Sequence, residues 1–352
     1  MRRRRVLAAG GSLLAGLSAG CLETLRREDA WRELVVDPPE GVYVPPHADG
    51  MVRYGSATVE GLEASLFASR PHSFWLVSGT ERSRADVRSR HDLHLMVAVR
   101  DAETGTVVPA PVRTTIHTQA GDRVDERSLW PMLSQRMGVH AGDNCSLEGD
   151  GRYAVTVEIG EPSATIRGER SDLPNATSVE FGFEYAADEI EGLERRLFDE
   201  DEGRGDPGAL EPMAHARDDH DDSTLDEVEG DRTRIGSARV GDVTVVAIRA
   251  NSTGEEGTAL AVGLRTPYNA YPLVLASVSA SVVRGDERLE TRSLQESVGP
   301  HLGHHYRTDL EPAVLERGDA LAIDLETPPQ VARHEGYETA FLEPETVRLA
   351  LD

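Results

Sequence analysis

Lysine is absent from the 352 residues, so all 37 basic side chains are arginines, and 62 carboxylates set against them leave a formal net charge of −25. Phosphate binding needs a basic surface, so this balance excludes nucleic acid as a partner. Dense carboxylates keep a protein soluble where salt screens their repulsion, which is the composition of a salt-adapted protein. Cysteine is nearly absent: Cys21 and Cys145 cannot build a disulfide framework. Aromatics make up only 5% of the chain, so any core rests on Val, Leu, Ile and Ala. A Gly-x-Ser-x-Gly elbow, a phosphate loop, a dinucleotide fingerprint and a His-Glu-x-x-His pair are all missing, which argues against an enzyme. Cys145 follows His140 by five residues, yet a small buried residue in a strand or turn is the favoured reading over a Cys–His nucleophile pair.

The chain also lacks a long apolar run at its start. Arg2 to Arg5 precede a small-residue apolar stretch from Val6 to Ala19, too short for a stable membrane span. This is the pattern of an export signal, residues 1–21, with paired arginines suited to the route for folded proteins. It ends Leu17-Ser18-Ala19-Gly20-Cys21, close to a lipobox, with Leu17 one place further from the cysteine than usual. Cleavage before Cys21 and lipidation of its thiol would hold the protein on the outer face of the cell membrane. Residues 22–50, with Pro38, Pro39, Pro45 and Pro46, then read as a tether.

The remainder is organised by an internal repeat. Arg53-Tyr54-Gly55-Ser56-Ala57-Thr58-Val59 recurs as Arg234-Ile235-Gly236-Ser237-Ala238-Arg239-Val240. His94 to Arg100 aligns with Ala259 to Arg265, and Arg127-Ser128-Leu129 with Arg292-Ser293-Leu294. Gly138-Val139-His140-Ala141-Gly142 aligns with Gly299-Pro300-His301-Leu302-Gly303. Within the copies apolar residues alternate, as at Val155, Val157 and Ile159, at Val179, Phe181 and Phe183, and at Leu321, Ile323 and Leu325. Period two marks strands with one buried face, and Gly-Asp and Thr-Gly turn signals separate them. The expected fold is all-β: two tandem immunoglobulin-like antiparallel β-sandwiches related by duplication, at 51–188 and 234–352. Between them, 189–233 reads as an acidic, solvated linker, although His215 and His220 beside its carboxylates also suit a weak divalent-cation site.

Methionine and histidine hold the remaining chemistry. Trp130-Pro131-Met132 lies eight residues before His140, across a Gly-containing loop, and His94 sits in a strand-like segment with Met96. Thioether with imidazole favours copper, and imidazole also accepts Fe(II) or zinc. From spacing alone, core methionines and surface histidines are the favoured reading.

Residues 91–185 resemble the periplasmic metal-binding proteins associated with high-affinity Fe(II) uptake, which accompany an iron permease. That family carries His-Leu-Glu, then Met-Pro-Met, then Gly-Pro-His-Tyr-Gly-x-Asn, then Gly-x-Tyr. Here stand His94-Leu95-Met96, Trp130-Pro131-Met132, Gly138 to Asn144, and Gly151-Arg152-Tyr153. The resemblance implies an immunoglobulin-like sandwich, copper and/or iron binding, a dimeric arrangement, and ligands at His94, Met132 and His140. Met96 replaces the family's Glu, which leans toward Cu(I). The family's further His, in an Arg-His pair, is missing from the first copy but matched in the second by Arg333-His334. The expectation is one composite site, with His94, Met132 and His140 from the first copy and His334 from the second, in an intrachain pseudo-dimer. Met96 and His301 are lesser candidates, and His304 and His305 lie close to His301. The alternative is a structural or interaction lipoprotein whose metal site has decayed.

Overall fold

Alternating apolar residues do set the strands. The computed structural model describes residues 37–167, 176–213, 232–251, 258–310, 317–343 and 345–351. Cys21, the export signal, His215 and His220 fall outside the described residues. A short strand β1 (His47–Asp49) pairs with β14 (Arg195–Leu197). An eight-stranded sheet runs β2 (Met51–Val59), β3 (Leu62–Ser69), β6 (Leu93–Asp101), β10 (Gly138–Cys145), β9 (Trp130–Ser134), β22 (Ala332–Arg333), β4 (Phe74–Ser78) and β5 (Glu81–Ala85). A four-stranded sheet runs β13 (Thr177–Tyr185), β11 (Gly151–Ile159), β7 (Val112–Thr118) and β8 (Arg123–Ser128). Between these layers lie Leu62, Leu66, Leu93, Leu95, Val97, Ile116, Val155 and Val157.

The second half repeats the plan. Its strands run β15 (Thr233–Val240), β16 (Val243–Asn251), β17 (Thr258–Arg265), β20 (Gly303–Leu310), β19 (Glu287–Gly299), β18 (Ser277–Arg284), β21 (Ala320–Thr327) and β23 (Thr346–Ala350). Strand β19 serves both layers: residues 287–294 pair with β18 and residues 295–299 with β20. In the first half the same path is divided into β8 and β9, broken at Leu129. Among the described residues helix is scarce; α1 is only Ala187–Glu191. The protein is therefore a nearly all-β molecule built of β-sandwiches.

The two halves exchange short strands. β22, from the C-terminal half, lies parallel to β9 with Ala332 opposite Met132, and antiparallel to β4. Reciprocally β12 (Thr165–Ile166), from the N-terminal half, lies parallel to β19 with Thr165 opposite Ser297. Each exchanged segment follows proline, Pro162 before β12 and Pro328-Pro329 before β22. Proline cannot continue a ladder as a donor and biases its predecessor to extended backbone, so the chain leaves its own sandwich there.

Three expectations need correction. Residues 37–50 are not a free tether: Val42 and Tyr43 are buried, and Tyr43 bridges to Pro207. Nor is 189–213 a solvated linker, since β14 joins β1, Asn269 Nδ2 donates to the Leu210 carbonyl, and Met213 packs on the second core. In both segments a few apolar residues and backbone pairs outweigh a hydrophilic composition. The Gly138–Gly142 loop is the start of strand β10, because β9 supplies a ladder partner for each residue.

Candidate metal centre

Strand register places the site. His140 pairs with Met132 across β10 and β9, and His94 pairs with Asn144 across β6 and β10. Directly opposed residues share a face, as do residues two apart on one strand. His94, Met132, His140, Gly142 and Asn144 therefore stand on one face, and Ala332 brings His334 to it from the other half. This is the face turned away from the first sandwich's own core.

Four imidazoles gather there. The centroids of His72 and His94 are 4.2 Å apart, of His72 and His334 4.7 Å, of His140 and His334 5.9 Å, and of His94 and His334 6.2 Å. With a metal–nitrogen bond of about 2.0–2.1 Å, two imidazoles on one ion have centroids roughly 4.5–6.4 Å apart. Three of the four separations lie in that window and the fourth is just short of it. A Cβ built on Gly142 would meet both His94 Nε2 and Met132 Sδ at 2.8 Å. One small space beside Gly142 is thus bordered by an imidazole nitrogen and a thioether sulfur. Among the described residues no three His, Cys, Asp or Glu groups form an assembled coordination shell. The donors that converge include the sulfur of Met132, which lies outside that set of residue types.

Hydrogen bonds fix which nitrogens can ligate. His94 Nδ1 lies 3.0 Å from Asn144 Oδ1, His140 Nδ1 2.9 Å from the Gly138 carbonyl, and His72 Nδ1 3.1 Å from the Arg70 carbonyl. Each partner oxygen only accepts, so each Nδ1 carries the proton and each Nε2 the lone pair. Nε2 of His94 and Nε2 of His334 are buried without a hydrogen-bond partner. Burial, then the neighbouring His72, holds His94 well below the ordinary imidazole pKa. Burial, then His72, His140 and His94, does the same for His334. Both therefore remain neutral, as a metal requires of its ligands. His94 and Met132 are fully enclosed, while the His72 and His334 residues keep part of their surface toward solvent.

A second layer braces these donors. Asn144 Nδ2 donates to the His72 carbonyl at 2.8 Å, and Asn144 Oδ1 accepts from the His72 amide at 3.2 Å. The Arg127 guanidinium binds Asp125, Asp143 and the Asn144 carbonyl. Gly138 has φ +71°, and a Cβ there would meet Tyr271 Cε1 at 2.9 Å, so glycine is needed both for the turn and for the second half's approach.

Met96 and His301 do not join the imidazoles. Met96 packs with Phe67, Ala98 and Met137, and His301 is exposed on the β19–β20 turn. Cys145 is buried in the sandwich core, and burial pushes its thiol far above the ordinary range, so it is no nucleophile. Sequence reasoning missed His72. It stands just before β4, with only a lone Pro-His to signal it.

The repeat alignment shifts by four residues in the second half. His305, opposite Ser297, takes the place of His140, opposite Met132. Its Nδ1 lies 3.1 Å from the Gly303 carbonyl, as His140 does from Gly138. By the same register Ala259 stands for His94, Ser297 for Met132, Arg307 for Gly142 and Arg167 for His334. Arg167 Nε donates to Ser297 Oγ at 3.2 Å. Arginine therefore fills the equivalent position in the second half.

Residues 82–187 match a family model described as Fe2+ transport protein, and residues 226–350 match a domain of unknown function (DUF7350). No curated protein matches the chain. Among solved structures, FetP of uropathogenic Escherichia coli strain F11 is 19% identical with a TM-score of 0.29, covering 40% of this chain and 96% of FetP. A copper-bound glutamate-to-glutamine variant of that protein is 21% identical with a TM-score of 0.30, over 38% of this chain and 97% of the variant. A copper-bound glutamate-to-glutamine variant of Campylobacter jejuni P19 is 21% identical with a TM-score of 0.31, over 39% of this chain and 98% of P19.

Proposed function

We propose that this protein is an extracytoplasmic transition-metal-binding protein, holding copper and/or iron, that serves iron uptake through a membrane permease. The observation that carries this reading is the gathering of His94, Met132, His140 and His334 on one face, with His94 Nε2 and Met132 Sδ bordering the space beside Gly142. The Fe2+ transport model over 82–187 supports the link to iron supply. The donor set supports copper as one of the ions: Met132 supplies a soft donor, and the imidazoles supply borderline donors, with the lone pairs of His94 and His140 already directed. Asn144 and the Gly138 carbonyl hold the rings, so little reorganisation accompanies binding. His334 arrives from the other half, which makes the chain an internal counterpart of a dimer and the site composite. Such a shell holds an ion rather than turning over a substrate. A lipid at Cys21 would keep the protein beside its permease.

The test is an anaerobic titration of the mature chain with Cu(I) and Fe(II) in high salt, beside Met132→Leu and His334→Ala. Saturable one-to-one binding that both substitutions weaken supports the reading. Binding no tighter than that of the acidic surface, or unchanged by either substitution, overturns it.

A further inference from the structure

Resting on that functional reading, we propose that His72 is a fifth donor to the same centre and the one that lets it hold Cu(II) as firmly as Cu(I). His72 lies outside the 82–187 match, in the segment that leads from β3 into β4. Its ring sits between two of the other imidazoles, 4.2 Å from His94 and 4.7 Å from His334. The bond from Nδ1 to the Arg70 carbonyl leaves the lone pair on Nε2, as in His94 and His140.

Position is as well defined as protonation. The amide and carbonyl of His72 both bind the side chain of Asn144, whose Oδ1 also holds His94. One amide therefore ties the His72 main chain to the His94 ring, while the Arg70 carbonyl holds the His72 ring itself. The chemical consequence follows from the donor count. Three imidazoles with a thioether satisfy Cu(I), which accepts low coordination and soft ligands. A fourth imidazole adds the nitrogen that Cu(II) prefers. His72 and His334 are the half-buried residues of the group, so they stand on the side from which an ion would enter.

The experiment compares full-length wild type, His72→Phe and Met132→Leu. Phenylalanine keeps the ring stack between His94 and His334 but cannot ligate. Cu(II) and Cu(I) affinities are each measured by competition with a chelator of that ion, and the Cu(II) forms are examined by electron paramagnetic resonance. The expected result is a loss of at least about tenfold in Cu(II) affinity for His72→Phe, with Cu(I) affinity within about threefold and one fewer nitrogen coupling in the spectrum. The bound couple then rises by about 59 mV per tenfold of that difference. Unchanged Cu(II) affinity and spectrum, or equal losses for both ions, would overturn the assignment and leave His72 a packing residue. If wild type binds neither ion, the functional reading fails and this one with it. Should His72→Phe not fold, as judged by circular dichroism, His72→Gln is read by the same criteria.

Discussion

Gly142→Ala tests the location of the centre with a single methyl group. The backbone there is an ordinary strand, so alanine adds no conformational strain. The added Cβ would sit 2.8 Å from both His94 Nε2 and Met132 Sδ, and 3.3 Å from the Leu95 carbonyl. Ordinary contacts begin near 3.4 Å, so each donor must retreat by about 0.6 Å. Coordination distances tolerate only about 0.2 Å, so the retreat removes at least one of the two donors from any ion held there. Overpacking costs about 1–3 kcal/mol, offset in part by the gain of replacing glycine in a strand by about 0.5–1 kcal/mol. Folding should therefore survive while Cu(I) affinity falls at least tenfold. The assay is chelator competition for Cu(I), paired with a urea melt of the metal-free protein. A variant that melts normally and binds Cu(I) within about threefold of wild type would refute the convergence of His94 and Met132 on one ion.

Asn144→Ala should lower copper affinity by about 10–100-fold, because the amide orients the His94 imidazole and clamps the main chain of His72, and isothermal titration reads the loss. Native mass spectrometry should find one copper per chain, since the second half places Ala259, Ser297, Arg307 and Arg167 where the first half and its exchanged strand place His94, Met132, Gly142 and His334. Two ions per chain would refute that equivalence. Stability of the metal-free protein should decrease as pH is lowered. Burial, foremost, holds His305 at about 3 when folded, against about 6.5 unfolded, so the unfolded chain takes up a proton that the native chain refuses. The His305 share of stability is whole above about pH 6.5 and is lost between there and about pH 3, at up to about 1.4 kcal/mol per pH unit. His305→Phe should flatten the slope of urea-unfolding free energy against pH by that amount, and an unchanged slope would show His305 to be protonated when folded.

Local pattern in the sequence was enough for the strands. Alternation at Val155, Val157 and Ile159 becomes β11, and at Leu321, Ile323 and Leu325 becomes β21, because a period of two leaves one way to bury a face. The repeat was equally legible, although its last landmark slipped: Gly299-Pro300-His301 looks like Gly138-Val139-His140, but ladder register equates His140 with His305. Short glycine–histidine strings carry too little pattern to fix alignment, whereas a hydrogen-bonded ladder fixes every residue at once. The packing of 37–50 and of 189–213 was hidden for a related reason. A single buried side chain such as Val42 or Tyr43 amid polar residues has no period to detect.

The candidate donors divide in the same way. The resemblance to a family of metal-binding proteins singled out His94, Met132 and His140 and, through its Arg-His pair, His334. Bringing them together took the exchange of β22 into the neighbouring sheet, a contact across some two hundred residues that no local preference encodes. His72 was invisible for want of a pattern, and Asn144, though it ends the matched loop, has no chemistry of its own to mark it as a brace. Their importance is only positional. Residue order dictated that strands would form, which faces they would bury and which donors were available. Which of those donors share a point in space was left to the packed molecule, because that depends on registers and strand exchanges set by the whole core.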